Sequence, residues 1–123
     1  MLNRVVIYSK NPRKMADFYV RHFLFVAEDD PDGRMINLIP STGGSRITLH
    51  PAAKSQRMGQ VLLKLSFDVR DVAGFKIKAA EIGLSFGKIW IADGYEFANA
   101  KDPDGNSIQV SSRAFKKQVS VDC

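Results

Sequence analysis

The feature that most constrains the fold of this chain is a weak internal repeat. Arg4 aligns with Lys64 and Asn11 aligns with Asp71, both at an offset of 60 residues. In each half, an alternating apolar segment precedes a segment with helical spacing, and three more short strand patterns follow. Each half is therefore predicted to be a βαβββ module, and the predicted fold class is α+β. Because the helix of such a module covers one sheet face, we expect the other faces of the two modules to form a concave mixed sheet cleft.

Local signals set the predicted boundaries of the elements. Asn11 is a suitable N-cap and Pro12 suits the first helical position, and the apolar spacing that follows predicts a helix over Pro12–Phe23. Asp71 is the predicted N-cap of a second helix, which ends near Ile82. The predicted strands are Asn3–Tyr8, Phe25–Glu28, Met35–Ile39, Arg46–His50, Val61–Val69, Lys88–Ile91, Glu96–Ala100 and Ser107–Ser112.

The length of 123 residues suits one domain. We predict a single domain with module one at 1–50, a linker at 51–60, module two at 61–112 and a tail at 113–123. The only cysteine is Cys123, so neither a disulfide framework nor a cysteine metal site is predicted. No apolar run approaches the roughly 18 residues that span a bilayer, and the first residues lead directly into a strand pattern. We therefore expect a cytoplasmic protein that does not associate with membranes.

The net charge of +5 raises the question of a nucleic-acid partner. A nucleic-acid binder normally concentrates its basic residues in one stripe with interleaved aromatic side chains. In this chain the basic residues are spread widely, and the one tight cluster, Arg113 with Lys116 and Lys117, falls in the tail. The charge therefore indicates a solvated surface with a modest positive excess, and no nucleic-acid partner is expected.

Three groups of motifs, in the correct order and spanning almost the whole chain, carry a family resemblance. They are Val5–Tyr8 with Asn11-Pro12 and Ala16–Tyr19, Lys64–Val69 with Asp71-Val72 and Ala80–Gly83, and Asp102–Asn106 with Ile108–Val110. In these motifs the chain resembles the glyoxalase/bleomycin resistance protein/extradiol dioxygenase superfamily, also called the vicinal oxygen chelate superfamily. The resemblance implies the same paired-module fold and, for single-chain members of this size, a homodimer.

The resemblance also identifies where a metal would be bound. In the family, four positions on the concave face usually hold His, Glu or Gln around a divalent metal that acts as a Lewis acid. Matching the motifs places these positions at Arg4, Thr48, Lys64 and Gln109. Arginine has no lone pair to donate, lysine would first have to lose a proton, and threonine is a poor ligand. We therefore expect the family fold without a metal ion and without another cofactor.

Strand alternation predicts which side chains surround those positions. Arg4 and Tyr8 share one face of the first strand, and Arg46, Thr48 and His50 share one face of the fourth. Such a cleft would be polar and cationic, and cations that are buried without partners are costly, so we expect an anion nearby. The resemblance adds Trp90, because related proteins often place ligand-contacting aromatic side chains in the strands of the second module. The predicted ligand-binding residues are therefore Arg4, Tyr8, Arg46, Thr48, His50, Lys64, Gln109 and Trp90.

Several functions stay open at this point. The first is a metal-free protein that binds a small molecule in the cleft, like the drug-sequestering members of the family. The second is an enzyme, either a metal-dependent lyase or dioxygenase with an atypical ligand set, or one that uses His50 as a base or Lys64 as a nucleophile. The third is a protein-interaction or regulatory module. In a purely structural alternative, Arg4 and Lys64 form ion pairs inside the sheet, for example with Glu96.

Overall fold

The first sheet follows the predicted alternation closely. Its strands are β1 (Arg4–Ser9), β2 (Phe25–Asp29), β3 (Ile36–Pro40) and β4 (Arg46–Pro51) in a computed structural model, which describes residues 1–31 and 33–116. The strand order is β1-β4-β3-β2. Strands β1 and β4 are parallel, whereas β4 pairs with β3 and β3 pairs with β2 in antiparallel fashion.

Helix α1 (Pro12–Phe23) begins and ends where the capping signals predict. The Asn11 side chain accepts a hydrogen bond from the Lys14 backbone N–H at 3.2 Å, which satisfies one of the free donors of the first turn. The helix ends at Leu24, whose φ of 59° lies in the left-handed region. A glycine or asparagine normally occupies such a position, so this cap holds the Leu24 backbone under strain.

Alternation divides the first sheet into an apolar face and a polar face. Leu38 and Leu49 are fully buried on the apolar face, and α1 packs on this sheet with Met15 and Tyr19 also fully buried. Burying one large apolar side chain contributes roughly 1.5–3 kcal/mol, so this packing is a major source of stability for the unit. The residues that alternate with the apolar ones define the polar face of the first sheet, namely Arg4, Val6, Tyr8, Asn37, Arg46, Thr48 and His50.

The second sheet repeats the arrangement of the first. Its elements are β5 (Lys64–Asp68), α2 (Val72–Glu81), β6 (Trp90–Ala92), β7 (Tyr95–Lys101) and β8 (Ser107–Ser111). The strand order is β5-β8-β7-β6, with β5 and β8 parallel, so the described residues contain two four-stranded mixed sheets and two α-helices. This is the predicted α+β architecture of two βαβββ modules.

The chain divides into two compact units that nearly coincide with the modules. The first unit contains Met1–Leu62 together with Lys101–Asn106, and the second contains Leu63–Ala100 together with the described residues from Ser107 onward. The Asp-Pro-Asp-Gly-Asn turn therefore belongs to the first unit, although it connects β7 to β8. Within the described residues, no helix is both long and apolar enough to cross a membrane.

Two predicted strand starts differ from the structure by more than one residue. Strand β5 begins at Lys64, so the apolar run Val61–Leu63, predicted as its first part, lies outside the strand and is exposed. Strand β6 begins at Trp90, and Lys88 precedes it. Apolar side chains alone do not define a strand, because a strand extends only as far as its backbone pairs with a neighbouring strand. The predicted tail begins with a short 3-10 helix at Arg113–Phe115, while residues 117–123 lie outside the described residues.

Candidate functional site

The polar face of the first sheet brings together five of the predicted ligand-binding residues. The register of the parallel pair β1–β4 places Arg4 opposite Arg46 and Tyr8 opposite His50, and it places Val6 opposite Thr48. Because side chains alternate along each strand, Arg4 and Tyr8 point to the same side as Arg46, Thr48 and His50. These side chains therefore form one group on adjacent strands.

This group contains two cationic residues at opposite register positions. Arg4 and Arg46 are register partners on adjacent strands, and both are exposed. Among the described residues neither has a carboxylate within 4.0 Å. Like charges directly opposite each other on neighbouring strands are destabilising, and an anion placed at both guanidinium groups would relieve this repulsion. The pair is thus a suitable binding element for a carboxylate or a phosphate.

Tyr8 and His50 form a further pair on the same two strands, beyond Val6 and Thr48. Their ring centroids are 5.0 Å apart, and the His50 Nδ1 atom lies 2.8 Å from the Pro51 carbonyl oxygen. Because a carbonyl oxygen only accepts, Nδ1 must carry the proton and donate it in this bond. In the neutral imidazole, Nε2 therefore keeps the lone pair. In this tautomer Nε2 is the nitrogen that can act as a general base or accept a hydrogen bond.

Thr48 is held by a residue that the sequence did not indicate. Its Oγ1 donates a hydrogen bond of 2.8 Å to Oδ1 of Asn37, its antiparallel neighbour on β3. Thr48 is buried to 4% exposure, and this bond satisfies its hydroxyl. Asn37 is half-buried and extends the polar face onto a third strand. Asparagine is depleted in strands, so alternation of apolar residues gave no signal for it.

The second sheet carries a hydrogen-bonded network around two further predicted residues. Lys64 Nζ donates to Asn99 Oδ1 at 3.0 Å, and Gln109 Nε2 makes a longer contact of 3.4 Å with the same oxygen. Ser66 Oγ donates to Gln109 Oε1 at 3.0 Å. We call Lys64, Ser66, Asn99 and Gln109 the polar face of the second sheet. The structural alternative in which Lys64 pairs with Glu96 is wrong, because its partner is an amide oxygen.

Trp90 belongs to the same face of the second sheet. It is the register partner of Phe97, and Phe97 alternates with Asn99 along β7. The indole is 48% exposed, and the Lys88 ammonium lies 3.7 Å from the ring centroid, which is a cation–π arrangement. The ring therefore offers an accessible apolar surface beside the polar network.

The donor set does not fit the divalent metal that the resemblance implies. Arg4 has no lone pair, the Lys64 ammonium is already a donor to Asn99, and Gln109 Oε1 already accepts from Ser66. Among residues 1–31 and 33–116, no group of three or more His, Cys, Asp or Glu side chains is arranged to hold a metal ion. The residues at the four family positions thus lack the ligand chemistry of a Lewis-acid site.

The buried pair Tyr19 and Asp102 is a further polar feature that the sequence did not indicate. The Tyr19 hydroxyl donates to Asp102 Oδ2 at 2.8 Å, and both residues are in the first unit. Asp102 Oδ1 also accepts from the backbone N–H groups of Asp104 and Asn106 at 3.0 and 2.9 Å. Burial, followed by the Asp102 charge and hydrogen bond, raises the pKa of Tyr19 well above 10.0. These bonds fix the turn, and we assign the pair a structural role.

Comparison with known proteins identifies the family. The profile described as the Glyoxalase/Bleomycin resistance protein/Dioxygenase superfamily matches residues 1–110. The chain therefore belongs to the glyoxalase/bleomycin resistance protein/dioxygenase superfamily, as its sequence motifs indicate. No curated protein matches the sequence.

Solved structures of the superfamily have the same fold. A superfamily member from Sphaerobacter thermophilus superposes with a TM-score of 0.73 at 21% identity, covering 90% of this chain and 95% of that one. TnmS3, an antibiotic binding protein from a Streptomyces species, superposes with a TM-score of 0.75 at 23% identity, covering 89% of this chain and 93% of that one. A lactoylglutathione lyase from Agrobacterium tumefaciens superposes with a TM-score of 0.69 at 18% identity, covering 90% of this chain and 92% of that one. At these identities the likeness establishes the fold alone.

Proposed function

We propose that this chain binds a small anionic molecule without a metal ion. The observation that carries the proposal is the register pair Arg4 and Arg46, two exposed cations without a carboxylate partner among the described residues. Tyr8 and His50 follow on the same strands and supply aromatic surface and a hydrogen-bond acceptor. In such a complex the oxyanion of the ligand would bind the arginine pair, and its apolar part would pack on the two rings.

The second sheet adds its own contacts in this proposal. Lys64 and Gln109 offer N–H groups, and Trp90 offers an exposed ring. TnmS3, which shares the fold, is described as an antibiotic binding protein, so the fold is compatible with small-molecule binding that needs no reaction. These points support Lys64, Gln109 and Trp90 as ligand-binding residues of the second sheet.

A thermal-shift screen of small carboxylates and phosphates tests the proposal. We expect several of these anions to raise the melting temperature, since a ligand that binds the native state stabilises it. Arg46→Met should then weaken binding of the best anion by about tenfold, the loss of one charge-assisted contact. Arg57→Met removes the same charge at an exposed position outside the sheet and serves as the matched control. Equal binding by both variants, or no shift with any anion, would refute the proposal.

A second candidate function is metal-free acid–base catalysis by His50. It is favoured by one observation, the bond from Nδ1 to the Pro51 carbonyl that leaves Nε2 available as a base. Once a ligand is known, turnover can be followed with the wild-type protein and with His50→Gln, which keeps a polar side chain and removes the base. Turnover that is lost in His50→Gln supports catalysis, and binding without turnover supports a pure binding protein.

We also propose that the chain is a cytoplasmic homodimer, as the family resemblance implies. The exposed apolar run Val61–Leu63 supports an association, because apolar side chains so close together are unusual on a monomer surface. Sedimentation at micromolar concentration should give the mass of two chains, and the mass of one chain would contradict the dimer. Fractionation of the source cells tests the location.

A further inference from the structure

The hydrogen-bond network on the polar face of the second sheet has a fixed direction. An ammonium group can only donate, so the Asn99 atom that contacts Lys64 must be the carbonyl oxygen Oδ1. The Gln109 atom that contacts this oxygen must then be the amide nitrogen Nε2. This turns Gln109 Oε1 towards Ser66, whose hydroxyl must donate to it. Lys64 therefore sets the orientation of both amides.

This orientation leaves hydrogen-bond donors pointing away from the network. Lys64 has three N–H bonds and uses one, while the Asn99 amide nitrogen and the second N–H of Gln109 have no assigned acceptor among the described residues. Inside the network Asn99 Oδ1 accepts from Lys64 and Gln109, and Gln109 Oε1 accepts the Ser66 proton. Asp68, one alternation step beyond Ser66 on β5, is the nearest carboxylate along that strand.

The first sheet lacks this constraint. Thr48 and Asn37 also pair through a hydroxyl and an amide, but a hydroxyl can donate or accept. No cation fixes the direction of that bond, and His50 provides an acceptor nitrogen nearby. The one-sided donor character is thus a property of the second sheet and follows from Lys64.

We propose that Lys64 makes the polar face of the second sheet selective for an oxyanion, a carboxylate or a phosphate, by turning Asn99 and Gln109 into donors. This inference rests on the proposed function, namely binding of a small molecule by the polar sheet faces. Lys64 contributes one charge-assisted donor itself and positions two neutral donors beside it. A ligand whose polar group also donates, such as a carboxamide, would place its own N–H groups against the donors of Lys64, Asn99 and Gln109 and bind more weakly.

Benzoate and benzamide are matched probes for this selectivity, since they differ in the polar group and share the ring. Titration calorimetry should give a benzoate affinity at least tenfold above that for benzamide. Inorganic phosphate, titrated separately, shows whether phosphate oxygens are accepted as well as carboxylate oxygens. In 15N-labelled protein, benzoate should shift the side-chain amide signals of Asn99 and Gln109.

Two variants and one control distinguish selectivity for the carboxylate from a general effect of losing one positive charge. Lys64→Met should reduce benzoate affinity by about tenfold to a hundredfold and remove the preference over benzamide. Asn99→Asp, which replaces the donor nitrogen by an acceptor and keeps the partner of Lys64, should also remove the preference. Lys78→Met, at an exposed position on α2, removes the same charge and should bind like the wild type.

The outcomes distinguish this inference from the proposed function. Benzoate binding that depends on Arg46 and is unchanged in Lys64→Met would overturn the role of Lys64 and leave the proposed function intact. Equal affinity for benzoate and benzamide in the wild type would overturn it as well. Binding of none of the three probes, together with a negative anion screen, would overturn both. If Lys64→Met is unfolded by far-UV circular dichroism, Asn99→Asp and the amide signals decide the question.

Discussion

The Tyr19 hydroxyl donates a hydrogen bond of 2.8 Å to Asp102 Oδ2, across a separation of 83 residues in the sequence. Both side chains are buried, at 0% and 4% exposure. The same carboxylate accepts from two backbone N–H groups of its own turn and from the Asn106 side-chain amide. The pair joins α1 to the Asp-Pro-Asp-Gly-Asn turn within the first unit.

Replacing Asp102 should destabilise the fold strongly. In Asp102→Asn, one carboxylate oxygen becomes an amide nitrogen that faces the Tyr19 hydroxyl and the Asn106 amide, both of which donate to it now. We expect a loss of about 2–4 kcal/mol in the free energy of unfolding, because buried donors lose a charged acceptor. Urea unfolding of the single variant, of Tyr19→Phe and of the double variant gives the coupling between the two residues. A coupling energy near zero would contradict the bond.

Tyr19 should also make the protein sensitive to high pH. Its pKa is raised above the unfolded value of 10.0, mainly by burial and then by Asp102, so the folded state holds the phenol proton more tightly than the unfolded state. The resulting stability is fully present below pH 10 and is lost as the pH rises above it. Between pH 9 and 11 the melting temperature should therefore fall more steeply for the wild type than for Tyr19→Phe. The exposed Tyr8→Phe is the control and should behave like the wild type.

The C-terminal ends of the two helices allow two substitutions with opposite expected effects on stability. Leu24 has a φ of 59° and is 63% exposed, so Leu24→Gly should remove backbone strain at little cost in burial and raise stability by about 0.5–1 kcal/mol. Gly83 has a φ of 96°, and an added Cβ would meet no atom within 4 Å. Gly83→Ala should thus cost about 1–2 kcal/mol through the backbone alone. Chemical unfolding measures both, and changes of the same sign would contradict the assigned backbone conformations.

His22 should weaken the fold at acidic pH. Burial, followed by the charge of Arg21, lowers its pKa below 6.5, and its Nδ1 atom is buried without a hydrogen-bond partner among the described residues. The unfolded state therefore binds the proton more readily, and stability falls as the pH drops below about 6.5. His22→Phe should remove part of this loss between pH 7 and 5. In an NMR titration, Arg21→Gln should raise the pKa of His22, and an unchanged pKa would exclude the Arg21 contribution.

Local signals account for the parts of the fold that the sequence predicted well. The cap at Asn11, the proline at position 12 and the apolar spacing define α1 from its first residue to its last. Alternation likewise placed Arg4 with Tyr8, and Arg46 with His50, on common faces. The exact ends of the strands depend on backbone pairing between neighbouring strands, which local signals do not show. The run Val61–Leu63 has strand-forming side chains and yet stays outside β5.

The polar residues that the sequence did not indicate depend on contacts with other segments of the chain. Asn37 and Asn99 have no strand preference, and their importance appears only when a hydrogen-bond donor on the next strand is identified. The partnership of Tyr19 with Asp102 is invisible in any local window, because the two residues are distant in sequence. Tyr19 fits the apolar helix pattern, and Asp102 fits a turn pattern, so each appeared fully explained by its own segment.

The most direct test of the central claim, oxyanion binding without a metal, combines elemental analysis with calorimetry on one preparation. The purified protein is analysed for divalent metals, and benzoate is titrated into it before and after treatment with EDTA. We expect well under one metal ion per chain and the same benzoate Kd in both titrations, because arginine and lysine side chains bind a carboxylate directly and need no metal ion. About one zinc, nickel, manganese or iron ion per chain, together with loss of benzoate binding after chelation, would contradict the claim.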